Sequence, residues 1–255
     1  MRKEREDNLF YITTSIAYVN APPHIGYALE LVFADVIARW RRLCGRGVHF
    51  LTGTDEHGAK IARAADAVGK KPREFVDENA ERFRLLAEKL NISNDDFIRT
   101  SDKKRHWPGA EKMWRALEAA GDIEKRSYKG LYCVGHEAFV TRKDLVDGKC
   151  QDHASAPEVV EEENYFFLLS RYSARIREAI SSGELKIFPE HRARELLNFI
   201  DQGLEDVSFS RPAKDIPWGI PVPGDASQTM YVWCDALTNY ISALGYGSPD
   251  ESLMG

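Results

Sequence analysis

The residues able to do chemistry lie in short, separated stretches. In "YVNAPPHIGYALE" (18–30), His24 and Gly26 follow Pro22 and Pro23. Two prolines stiffen a turn, a glycine lets backbone approach a ligand closely, and the free N–H groups and dipole of a helix N-terminus favour an anion. His24 is then a phosphate donor; the alternative is a surface loop with an idle imidazole. "FLTGTDEHGAKI" (50–61) ends a strand-like run in Asp55, Glu56 and His57. Carboxylates at the carboxyl end of a parallel strand face the crevice used by the neighbouring loop. A third constellation is Cys133-x2-His136-x13-Cys150-x2-His153. Two tight ligand pairs make a complete tetrahedral set for a structural Zn2+. The alternative is a metal-free turn module with remnant ligands.

These residues need elements to position them. "LFYITT" (9–14) and "VHFLTG" (48–53) have the aromatic and β-branched content of buried strands. Between them Leu29, Val32, Phe33, Val36, Trp40 and Leu43 recur at helical steps, with Arg39, Arg41 and Arg42 near the C-terminal end and Gly45 and Gly47 beyond it. Strand, helix and strand make a βαβ crossover, hence a parallel sheet with reactive loops at its carboxyl edge. Further helical patterns cover 59–68, 73–90 and 107–120. From about residue 126 short aromatic strands and turns take over, helical periodicity returns at 170–182 and 190–203, and "SRPAKDIPWGIPVPGD" precedes a last strand and helix, "TMYVWCDALTNYISALG". No internal repeat is evident. The expected organisation is an α/β fold with a parallel sheet, interrupted by an inserted module: 1–125 are its first part, 126–208 the insertion with the Cys/His knuckle, and 209–255 return to the first domain.

Composition sets the class. The chain has 255 residues, 43% hydrophobic and 29% charged, enough for a sizeable core and unlike a disordered chain. No apolar run is long enough to span a bilayer and "MRKEREDNLFY" is no signal peptide, so the expected location is cytoplasmic, with no membrane partner. Four cysteines are too few for a disulfide framework; Cys44 and Cys234 are expected as packed thiols. A net charge of −5 does not advertise a nucleic-acid binder, although a local basic face on an acidic protein can bind phosphate.

"ITTSIAYVNAPPHIGYALE", "FLTGTDEHGAKI", "SRPAKDIPWGIPVP" and "YVWCDALTNYISALG" together resemble the methionyl-tRNA synthetase family of class I aminoacyl-tRNA synthetases. The resemblance runs over essentially the whole chain and implies a Rossmann-like parallel-sheet nucleotide-binding domain interrupted by a connective insertion with a zinc-knuckle-like module. It implies activation of methionine by ATP with Mg2+ to methionyl-adenylate, by in-line attack on the α-phosphate, then transfer to the acceptor end of tRNA(Met). "PHIGY" corresponds to the family's HIGH signature, which assigns His24, Gly26 and Tyr27 to the ATP phosphates. The family has a second histidine where Tyr27 stands; a phenol donates one hydrogen bond but carries no positive charge near neutral pH, which implies weaker transition-state stabilisation. Asp55 corresponds to the aspartate that pairs with the substrate ammonium, and Arg211 to an arginine that helps hold the reacting groups. Ile16, Tyr18, Trp233, Ala236, Leu237 and Tyr240 match the methionine pocket, where aromatic rings suit a thioether. Read without the family, the last four are a core stripe at helical spacing.

The family knuckle usually has a second cysteine where His136 stands, and some members have lost the metal. "RWRRLCGRG" and "TSDKKRHW" are candidate tracks for the tRNA acceptor stem or plain solvated faces. No KMSKS-like loop or anticodon-binding domain is found, so the chain is expected to be the N-terminal portion of a synthetase, feeble alone. Two rivals stand: a non-catalytic, truncated synthetase-like module that binds methionine, tRNA or a partner, and an unrelated adenylyltransferase with a similar histidine loop.

Overall fold

The computed structural model describes residues 9–249 except 134, 137, 141–144 and 153. β1 (Leu9–Thr13), β2 (Ala17–Tyr18), α1 (Ile25–Leu43) and β3 (Gly47–Asp55) form the opening crossover. β1 and β3 are parallel, with Leu9 opposite Gly47 and Thr13 opposite Leu51. β2 continues along the same edge, Ala17 opposite Thr54 and Tyr18 opposite Asp55. After α2 (Ala59–Ala67) and α3 (Pro72–Lys89), β4 (Asp96–Arg99) pairs with the other edge of β3, also parallel. β3 is thus central, and it is buried from Phe50 through Asp55, as expected of a strand covered on both faces. Gly53 makes this possible: a Cβ there would stand 2.2 Å from the Ile98 carbonyl oxygen of β4.

α1 does not bury the apolar residues that mark it as a helix. It buries Tyr27, Leu31, Ala34, Asp35 and Ala38, while Leu29, Val32, Phe33, Val36, Trp40 and Leu43 are exposed. The buried side is the one that meets Phe50, Phe83, Ile61 and Val76, where small residues allow close approach. Asp35 adds a polar tether, accepting from the Ser93 backbone N–H at 2.7 Å and from Arg39 at 2.7 Å. Periodicity finds an apolar stripe but not what lies against it. Cys44, expected as a packed thiol, is exposed at the end of this helix.

α4 (Trp107–Ala119) leads into an antiparallel sheet in the order β10-β9-β5-β6, built from β5 (Ile123–Cys133), β6 (Ala138–Val140), β9 (Glu158–Phe167) and β10 (Val207–Ser208). β7 (Leu145–Val146) and β8 (Lys149–Cys150) form a separate two-stranded hairpin between β6 and β9 in the chain, and α5 (Ser173–Ser182) and α6 (Glu190–Asp201) follow β9. The closing strand does not rejoin the parallel sheet. β11 (Ser210–Pro212), β12 (Pro221–Val222) and β13 (Asp225–Met230) form their own antiparallel sheet before α7 (Val232–Ser242). A second core of Trp114, Phe209, Ile220, Val222, Met230 and Cys234 binds this small sheet and α7 to α4. No helix among the described residues is long and apolar enough to cross a membrane.

Candidate active site

The first loop and the end of β3 share one edge of the sheet. Tyr18 lies in register with Asp55, and the Val19 N–H donates to the Asp55 carbonyl at 3.1 Å, so the loop that carries His24 starts beside that carboxylate. A cleft of about 380 Å3 opens here, lined among others by Ser15, Tyr18, Asn20, His24, Tyr27 and Glu30. Glu30 fastens its two walls, accepting from the Ser15 N–H at 2.6 Å and the Ser15 hydroxyl at 2.7 Å.

His24 is the N-cap of α1. Its Nδ1 accepts from the Gly26 N–H at 3.0 Å. An imidazole nitrogen that accepts is unprotonated, so the ring proton sits on Nε2, preset as a donor. Gly26 provides the room for this: a Cβ there would meet the His24 ring at 2.8 Å. Tyr27 turns the other way. It is buried, its ring is edge-on to Phe83, and its hydroxyl is 3.0 Å from Thr52 Oγ1, which is itself 2.7 Å from Thr14 Oγ1. Burial pushes the phenol pKa up.

α7 is packed inside out. Its buried residues include Cys234, Asp235, Thr238, Asn239 and Ser242, whereas Trp233 is 44% and Leu237 54% exposed. The core reading of Trp233 and Leu237 therefore does not hold; Ala236 is buried and Tyr240 half-buried. Tyr240 reaches the β3 edge, packing with Ile16 and Tyr11 over Leu51 and Ile98. Burial raises its phenol pKa; the Ile16 backbone hydrogen-bonds to it, and Glu30 and Asp55 act on it electrostatically. Ile16, Tyr18, Asp55 and Tyr240 are thus brought together. Arg211 is set by a different element, β11: its guanidinium lies 3.9 Å over the Tyr231 ring, just before α7, and donates to the Ser210 carbonyl at 2.8 Å.

Glu56, expected with Asp55 to face the crevice, is instead turned inward onto Arg99, and with His57, His106 and Asp235, which have no separate role in the sequence reading, it forms the polar frame of the site. Glu56 is wholly buried and takes a bidentate pair from Arg99 at 2.6 and 2.8 Å and a hydrogen bond from Thr54 at 2.7 Å. Asp235 is equally buried, its carboxylate oxygens 2.5 Å from His57 Nδ1 and 2.7 Å from His106 Nε2. Burial alone would raise its pKa, but the two imidazoles hold it at about 2. The signal was a lone acidic residue within an apolar helical run, "YVWCDAL". His106, read as part of a basic stretch, is fully buried. In the other basic stretch Arg39 pairs with Asp35 and Arg42 with Asp95, at 2.7 and 2.6 Å.

In the insertion, Cys133, His136 and Cys150 bring ligand atoms within 4.8 Å of one another. His136 Nδ1 is 3.6 Å from Cys150 Sγ, and its Nε2 is 2.9 Å from Asp152. His153, the expected fourth ligand, lies outside the described residues.

Residues 10–152 and 140–252 match the family described as tRNA synthetases class I (M). The chain belongs to the class I tRNA synthetases (M). Within that family it is 48% identical over 247 residues to the methionine–tRNA ligase of Brucella suis, covering 95% of this chain and 47% of that protein. It is 44% identical over 246 residues to the methionine–tRNA ligase of Thermotoga maritima, covering 95% of this chain and 39% of that one. The chain therefore spans about half, or less, of the length of the curated relatives it matches. Among solved synthetases, Mycobacterium tuberculosis methionyl-tRNA synthetase in complex with methionyl-adenylate superposes with a TM-score of 0.90 at 41% identity, over 96% of this chain and 48% of that one. The free form of the same synthetase superposes with a TM-score of 0.78 at 38% identity, over 96% and 47%.

Proposed function

We propose that this chain carries the methionine-activating site of a methionine–tRNA ligase, acting in the cytoplasm. The observation that carries this reading is α7, which buries Asp235 against His57, two residues beyond Asp55, and leaves Trp233 and Leu237 exposed. In this reading Asp55 pairs with the α-ammonium of methionine. Ile16, Tyr18, Trp233, Ala236, Leu237 and Tyr240 enclose the thioether, for which sulfur–aromatic contacts contribute about 0.3–1.5 kcal/mol each.

ATP, arriving with Mg2+, sets its phosphates at the N-terminus of α1, where His24 donates from Nε2 and Gly26 leaves the backbone accessible. Tyr27 borders this seat as a neutral wall, and Arg211 holds the reacting groups from the Tyr231 side. A methionine carboxylate oxygen attacks the α-phosphorus, the bond to the β-phosphate oxygen breaks, and pyrophosphate leaves. The terminal hydroxyl of tRNA(Met) then attacks the acyl carbon, and AMP leaves. Catalysis here is alignment and charge stabilisation, with no covalent enzyme intermediate.

Methionine-dependent exchange of labelled pyrophosphate into ATP tests the reading; methionine binding with no exchange, alone or within a chain extended to the relatives' length, overturns it. That outcome instead supports a non-catalytic binding module, which the engagement of the Tyr27 hydroxyl with Thr52 favours. If the missing second imidazole limits the rate, Tyr27→His should raise exchange several-fold at saturating methionine. An unchanged rate would remove Tyr27 from the catalytic set.

We also propose one structural zinc. Two thiols and an imidazole facing a common point fit Zn2+, and Asp152 on the far nitrogen of His136 orients that ring as outer-shell carboxylates do. Cys133, His136 and Cys150 would hold it, with His153 completing the set. Purified without chelator, the protein should contain about one equivalent of zinc, and Cys150→Ser should lower it sharply. Less than a tenth of an equivalent in the unaltered protein refutes the site.

A further inference from the structure

The cluster of Asp235, His57 and His106 joins the two halves of the substrate site. His57 stands two residues beyond Asp55. Asp235 stands on α7 among Trp233, Ala236 and Leu237. The 2.5 Å contact between His57 Nδ1 and Asp235 Oδ2 is therefore a short mechanical link from the carboxylate that meets the ammonium to the wall that meets the side chain. His106 secures the helix in turn: Nε2 is 2.7 Å from Asp235 Oδ1 and Nδ1 is 2.8 Å from Ser242 Oγ, seven residues along the same face.

We propose that Asp235, held by His57 and His106, is a positioning residue that sets the spacing between Asp55 and the apolar face of α7, and so the fit for methionine. The inference rests on the methionine-activation reading. Stability alone does not account for the cluster, because replacing buried ion pairs by well-packed apolar residues is often neutral or stabilising. Directional hydrogen bonds instead fix relative position, and displacement by about 1 Å in a binding site is enough to cost orders of magnitude in rate. His57 fits this use. Its Nε2 is buried and has no hydrogen-bond partner among the described residues, so the ring leaves one polar atom unsatisfied while placing the other. The end of β3 is also held by the Asp55 carbonyl on Val19 and by Glu56 on Arg99, and α7 by its packing on α4 and over Leu51; the His57 contact adds the direct polar link between the two.

The test uses two near-isosteres of one residue. An asparagine at 57 puts its amide near the Nδ1 position and reaches Asp235; a glutamine puts it near Nε2 and does not. Methionine and ATP affinities are measured separately by equilibrium dialysis on the unaltered chain, His57→Asn and His57→Gln, with melting temperatures recorded. His57→Gln should weaken methionine binding at least tenfold with ATP affinity changed less than twofold, and His57→Asn should restore methionine affinity to within about threefold. If His57→Gln does not fold, Asp235→Asn, which keeps size and loses one ionic acceptor, takes its place with the same expected split. Equal methionine affinity in all variants, or loss of methionine and ATP binding together in step with melting temperature, overturns the proposal. Failure of the unaltered chain to bind methionine overturns the activation reading and this inference with it.

Discussion

Asp55→Asn should raise the methionine concentration needed for half-maximal pyrophosphate exchange by a factor of roughly 30 to several thousand, with little change for ATP. Truncating one partner of a buried, hydrogen-bonded charge pair costs about 2–5 kcal/mol, most of it from leaving the other charge unpaired. In the proposed site the stranded charge is the substrate ammonium, and with Asp55 only 6% exposed bulk water gives little compensation. Asparagine keeps the size of the side chain and the strand hydrogen bond from Val19, so the sheet edge should survive and the loss should fall on the amino acid alone. Exchange kinetics with each substrate varied in turn measure the split. Equal half-saturation values for unaltered and variant protein would remove Asp55 from the ammonium site.

The opening crossover was legible because its signals agree: aromatic and β-branched strands at 9–14 and 48–53 flank a helical run, and β1, α1 and β3 occupy those places. Helix ranges were legible for the same reason, with α2, α3 and α4 within about a residue of the periodic stretches at 59–68, 73–90 and 107–120. Two things were not. Hydropathy marks an apolar stripe without saying what covers it, so the run from Leu29 to Leu43 located the helix but not its buried side, which Leu31, Ala34 and Ala38 supply. Partners distant in the chain were also hidden. His57 and Asp235 are separated by 178 residues and His106 and Asp235 by 129, and no local pattern encodes such a contact. The family motifs named Asp55 and Trp233 but not the residues that hold them in place.

Glu56 shows what that hidden frame contributes to stability. Its side chain is wholly inaccessible, and Arg99, 30% exposed, supplies both guanidinium contacts and extends to Asp77. Burial alone would lower the Arg99 pKa, but the two carboxylates keep it raised. Removing one member of a buried ion pair costs about 3–5 kcal/mol, since the remaining charge stays desolvated. Arg99→Met should therefore destabilise the fold by that amount and lower the melting temperature by roughly 6–20 °C, at 2–4 °C per kcal/mol for a chain of this size. Neutralising the stranded carboxylate reverses much of the loss: Arg99→Met with Glu56→Gln should melt well above Arg99→Met alone, because glutamine still has Thr54 and Ser101 as partners. A double-mutant cycle by denaturant unfolding gives the coupling directly. Additive single effects would show that the pair contributes packing and not charge, and would leave the end of β3, and with it Asp55, held chiefly by its strand neighbours.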